Sequence, residues 1–140
     1  MRFLLLGLLG VAAASCGGNS DACSTVGTFP VAPATTLTSD SGGLQVEIRT
    51  SPQPLIRGAD AVQYTITDAN HQPSSGLQLQ VVPWMPDMGH GSSVVPTVAE
   101  QGGGVYLVSC VDLAMPGTWQ LRTTFSGPVS DSATPAFQIP

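Results

Sequence analysis

The feature that most constrains this chain is a side-chain alternation of period two, repeated in short runs. Leu44, Val46 and Ile48 alternate with Gln45, Glu47 and Arg49. Val62, Tyr64 and Ile66 alternate with Gln63, Thr65 and Thr67, and Leu77, Leu79 and Val81 with Gln78 and Gln80. Trp119, Leu121 and Thr123 alternate with Gln120, Arg122 and Thr124. Successive side chains of a strand point to opposite faces, so each run has one face for a core and one for water. Val105–Leu113 is rich in β-branched and aromatic residues and reads as a further strand. Residues 93–100 contain Pro96 and read as an edge strand, and Ala133–Ile139 as a last strand with an internal proline.

Turn signals separate the runs: Pro52, Pro54 and Gly58 in 51–60, the stretch 68–76, the glycines 102–104, Ala114-Met115-Pro116-Gly117, and Gly127-Pro128. About seven short strands with no helical stretch between them are the signature of an all-β fold, an antiparallel β-sandwich, with a small closed barrel as the alternative.

The first residues follow other rules. Arg2, the apolar run from Phe3 to Ala14 and the small residues before Ser15 read as a signal peptide over 1–15. The run is short of the roughly 20 residues a membrane span needs. Ala13-Ala14-Ser15-Cys16 resembles the bacterial lipobox, with Ala13 where a larger aliphatic residue is usual. That resemblance implies lipid on Cys16, and Gly17 in the next position implies an outer-membrane address in the cell envelope, facing the periplasm or the surface. Residues 16–43 are rich in Gly, Ser, Thr, Pro and Ala and read as a flexible tether with a reach on the order of 30 Å. The domain is then 44–140.

Without residues 1–15 the chain keeps three arginines, no lysine and nine acids, a net charge of −6. Phosphate contact needs clustered positive charge, so nucleic acid is excluded as a partner, and so is electrostatic docking on anionic lipid. The membrane is reached through the lipid anchor. With Cys16 lipidated, Cys23 and Cys110 remain as a pair in an oxidising compartment. Two readings stand: a Cys23–Cys110 disulfide, or a buried free thiol at Cys110 with Cys23 in the tether.

Chemical potential concentrates in Trp84-Met85-Pro86-Asp87-Met88-Gly89-His90-Gly91-Ser92, which holds two of the four methionines and one of the two histidines. Thioethers suit Cu(I), and imidazole suits Cu(II). If successive strands run antiparallel, the loop after Met85 and the loop 114–118 fall at one end of the sandwich, together with 51–60. His71 falls at the other end, in a solvated turn. The candidate metal ligands are therefore Met85, Met88, His90 and Met115, with Asp87 available to orient His90. Against this stands a packing role, in which Met85 and Met115 cap the core. Trp84 and Trp119 are expected to pack in the core.

Four stretches taken together resemble the YtkA-like domain family, related to FixH-like proteins: Tyr64–Ala69, Met85–Gly91, Gly104-Val105-Tyr106 and Met115-Pro116-Gly117-Thr118-Trp119. The resemblance covers roughly 44–126. It implies an exported, immunoglobulin-like β-sandwich. Several members of that family occur near copper-handling or oxidase-assembly genes, and the positions marked in the family fall here on Met85, Met88, His90 and Met115.

No nucleophile elbow, zincin motif, phosphate loop or paired carboxylates mark an enzyme. The expected function is a lipid-anchored binding protein that takes copper through its Met/His loop. The alternative is a non-metal module that binds another envelope protein.

Overall fold

The computed structural model describes Cys23 and residues 27–140. The expected signal peptide over 1–15 and the expected lipidation site Cys16 lie outside the described residues. Ten strands follow one another: β1 (Thr35–Thr38), β2 (Leu44–Ser51), β3 (Gly58–Asp68), β4 (Gln78–Met85), β5 (His90–Gly91), β6 (Thr97–Gly102), β7 (Val105–Leu113), β8 (Gly117–Ser126), β9 (Asp131–Ala133) and β10 (Ala136–Ile139). One sheet has the order β1-β2-β3-β7-β6. The other has the order β10-β8-β4-β5, with β9 also on β8. All pairings are antiparallel.

The seven expected strands are present, and three additions bring the number to ten. With β1 and β5 set aside and β9 and β10 taken as one interrupted strand, the sheets become β2-β3-β7-β6 and β4-β8-β10. That is the Greek-key connectivity of immunoglobulin domains. The interruption falls at Thr134-Pro135, where the carbonyl of Pro135 accepts from Leu121 N–H.

The flexible tether expected over 16–43 is corrected for its described part. Residues 35–38 pair with β2, Leu37 standing opposite Val46. The pairing covers an edge of β2 that would otherwise present a row of open backbone groups, and three of the four residues are β-branched threonines. The turn that follows is tied down as well. Ser39 Oγ accepts from Leu44 N–H at 2.9 Å, Asp131 accepts from Ser41 N–H at 3.1 Å, and Asp40 N–H donates to Ser132 O at 2.8 Å. The folded unit therefore starts well before residue 44.

The core lies between the sheets. Val46, Ile48, Val62, Tyr64 and Ile66 face Trp119, Leu121, Phe125 and Val81. At 25 cal/mol per Å² of apolar area, each such side chain contributes about 1.5–3 kcal/mol on burial. Polar links also cross this interior: the Tyr64 hydroxyl on β3 meets Thr123 Oγ1 on β8 at 2.8 Å, Thr123 also donates to Leu121 O at 3.1 Å, and the Tyr106 hydroxyl on β7 accepts from Leu77 N–H, just before β4, at 3.0 Å. Trp119 is in the core as expected. Trp84 is corrected: it stands half-buried on the outer face of the second sheet, with the Arg122 guanidinium 4.7 Å from its ring centroid. Trp84 is one residue out of phase with the inward positions Pro83 and Met85, so the pleat turns it outward.

Candidate functional site

The Met-Pro-Asp-Met-Gly-His segment is a tight hairpin. The carbonyl of Met85 accepts from Met88 N–H at 3.3 Å and from Gly89 N–H at 3.0 Å, which reverses the chain and brings His90 opposite Met85. Gly91 then stands opposite Trp84, where a Cβ would lie 2.5 Å from the Pro83 carbonyl oxygen. Only glycine lets the two backbones approach this closely.

The second loop joins β7 to β8. The buried Trp119 indole donates from Nε1 to the Met115 carbonyl at 2.8 Å, folding residues 115–117 back onto the strand that follows. Gly117 has φ +128°, and a Cβ there would lie 2.9 Å from Met85 Cε. The two loops therefore adjoin at one end of the sandwich, the end that also holds 52–57, since Gly58 pairs with Leu113. His71 is at the far end, exposed, with φ +61° in a turn whose neighbours meet the glycine turn: Ile66 N–H donates to Gly104 O.

The four sulfur and imidazole residues are not equivalent. Met85 is 3% exposed and belongs to the core, with its terminal methyl against Gly117. Met88 is 55% exposed, Met115 is 38% exposed, and His90 is exposed. The accessible donors at this end are thus two thioethers and one imidazole, above a third thioether that is packed. Asp87 makes no hydrogen bond to His90 among the described residues. No three His, Cys, Asp or Glu side chains converge among the described residues, so any metal held here depends on methionine.

Cys23 and Cys110 are joined by a disulfide with a Cα–Cα distance of 4.8 Å. Cys110 lies in a bulge where Ser109 and Cys110 together oppose Ala61, and its φ is +62°. The bulge reverses the inward parity of β7, which runs Tyr106, Val108 before it and Val111, Leu113 after it.

Sequence reasoning passed over Asp60. It lies on β3 with the inward parity of Val62 and Tyr64, is 3% exposed, and its Oδ2 has no partner. Burial pushes its carboxyl up to about 7, against a backbone hydrogen bond from Ile56 and with Asp112 adding to the rise. The signal was a carboxylate in the apolar register of a strand, Asp60-x-Val62-x-Tyr64-x-Ile66.

The family model described as YtkA-like matches residues 38–124. No curated protein and no solved structure matches the chain. The match spans the β1–β2 turn through β8 and so includes both methionine loops. With the two-sheet architecture and the adjoining loops in place, the chain belongs to the YtkA-like family.

Proposed function

We propose that this protein is an exported, lipid-anchored binding protein that takes up Cu(I) at the end of the sandwich formed by the β4–β5 hairpin and the β7–β8 turn. It is a binder and not a catalyst. The observation that supports this reading is the exposure of Met88, His90 and Met115 at one end, over a buried Met85 that packs on Gly117. Thioether and imidazole are a soft donor set, suited to Cu(I) and poorly suited to Mg²⁺ or Ca²⁺. Met85 supports the two loops from below, and the exposed side chains are the ligands. The test is a Cu(I) titration against a competing chelator, comparing wild type with Met88→Ala/His90→Ala/Met115→Ala. Stoichiometric binding that the triple variant loses supports the proposal. Equal behaviour of the two proteins sinks it.

A second reading is favoured by the outer face of the second sheet. Gln80, Val82, Trp84, Gln120 and Thr124 lie there by register, with Arg122 as the one charged side chain among them. Such a face suits contact with an envelope protein. A protein that binds no copper but is retained by an envelope partner, with Trp84→Ala abolishing retention, would establish this reading in place of the first.

A further inference from the structure

Two buried oxygens among the described residues lack a hydrogen-bond partner: Thr50 Oγ1 and Asp60 Oδ2. They are close in the fold. Thr50 stands opposite Val62 on the neighbouring strand, so Asp60 occupies the next inward position toward the same end. Between Thr50 and Asp60 the chain makes the loop 52–57, which covers this end of the first sheet. The backbone of Ile56, in that loop, acts to lower the pKa of the Asp60 carboxyl against the larger effect of burial. Beside the loop lies a cleft of about 540 Å³, bounded by Pro33, Thr50, Gln53, Leu55 and Phe137.

We propose that Asp60 is a proton-operated latch on the 52–57 loop, which seats over the sandwich end when Asp60 is the carboxylic acid and opens to solvent when it is the carboxylate. The physical reason is the cost of a buried charge. A carboxylate with one oxygen unsatisfied in an apolar interior bears a large desolvation penalty, and the group either stays neutral or regains water. Regaining water here requires the loop to move and to lift Leu55, which is 2% exposed and belongs to the core, while the paired strands β2, β3 and β7 stay together. A carboxylic acid in the same place has a donor and a smaller demand for solvation.

The surroundings do not supply a compensating charge. On β7 the nearby ionisable group is Asp112, one position beyond the Asp60–Val111 pair, and its charge opposes ionisation of Asp60. On β2 the neighbours are Thr50 and Ser51, and the facing strand β8 turns Trp119 and Leu121 inward. The loop carries Arg57 as its one charged residue, and the ion pair found among the described residues is instead Arg49–Glu47 at 3.3 Å. Thr50, Gln53 and Leu55 all line the cleft, so opening the loop also reshapes it.

The test is amide hydrogen exchange on the full chain between about pH 5 and pH 8.5, corrected for the intrinsic pH dependence of exchange. The opening constant of Leu55, Ile56 and Arg57 is expected to rise by up to about tenfold per pH unit below about 7 and to level off above it, the form that linkage dictates for a group released to its ordinary carboxylate pKa of about 3.9. Val108 and the other amides of the paired core strands stay protected throughout. In Asp60→Asn the loop exchange becomes independent of pH. A carbon chemical-shift titration of Asp60 in the wild type gives a second readout that needs no variant. Its midpoint is expected near neutral pH, in step with loop exchange. A midpoint near 4, or loop exchange in the wild type that does not vary with pH, overturns the latch. So does opening of the paired core strands together with the loop.

Discussion

Trp119 Nε1 donates to the carbonyl of Met115 at 2.8 Å, from a ring that is otherwise enclosed by the core. The Met-Pro-Gly-x-Trp motif is therefore a closed unit, in which the strand anchors the turn that precedes it. Replacing Trp119 with Phe keeps an aromatic ring and removes the donor. We expect a loss of about 1–3 kcal/mol, since the Met115 carbonyl loses its partner and part of the indole volume is left empty. Urea unfolding monitored by circular dichroism measures it.

Met85 offers a test that separates packing from metal binding. Its thioether is in the core and touches Gly117. Met85→Ala is expected to cost about 2–5 kcal/mol, and Met85→Leu less than about 1.5 kcal/mol, because leucine nearly conserves the volume. Met88→Ala and Met115→Ala, at exposed positions, are expected to stay within about 0.5 kcal/mol of wild type. Metal-free thermal melts decide among these outcomes. A Met85→Leu variant as unstable as Met85→Ala contradicts the packing role.

The clasp between the β1–β2 turn and β9 should respond to acid. Asp131 is pushed upward by desolvation, but hydrogen bonds from Ser39, Ser41 and Ser132 outweigh that and hold its carboxyl at about 2. A carboxyl depressed in the folded state stabilises it above the unfolded value, and that stability is lost as pH falls through the folded value. The window is thus from about pH 4 down to about pH 2. Asp131→Asn is expected to melt below wild type at neutral pH, and the gap should close as the buffer approaches pH 2. A gap that is constant across that range assigns the clasp no electrostatic part.

Both tyrosines should resist ionisation in the folded protein. Burial raises the pKa of Tyr64 against its hydrogen bond with Thr123, and burial raises that of Tyr106 against a bond from Leu77 N–H, with Glu100 adding to the rise. Each acid is weaker in the folded state, so its contribution to stability is complete below about pH 10 and lost above it. Ultraviolet titration should therefore show both tyrosines ionising at higher pH in the folded protein than in the unfolded chain. Tyr64→Phe is expected to cost about 1 kcal/mol, because Thr123 retains its bond to Leu121 O.

The alternation of Leu44-Val46-Ile48 and Val62-Tyr64-Ile66 made β2 and β3 legible, and strand parity alone put the loops after Met85 and after Leu113 at one end. Other elements were not legible for identifiable reasons. The Thr-rich segment of β1 has little hydrophobic pattern and becomes a strand because β2 has an edge to cover. The bulge at Ser109-Cys110 shifts the phase of β7 midway, which no simple count of alternate residues anticipates. Trp84 suits a core by composition and is turned outward by its place in the pleat.

At the candidate site the sequence by itself determined which chemistry is present and at which end of the fold it lies, since both follow from residue identity and from the two-residue repeat of an extended chain. Only the tertiary structure decided that Met85 is packed while Met88 and Met115 are open, and that Asp60 is buried without a partner for one oxygen. Side-chain direction is a local property of the backbone. Burial depends on which segments are brought against a residue: the 52–57 loop sits beside Asp60 only once β2 and β3 have paired, and Gly117 meets Met85 only once β4 and β8 have paired.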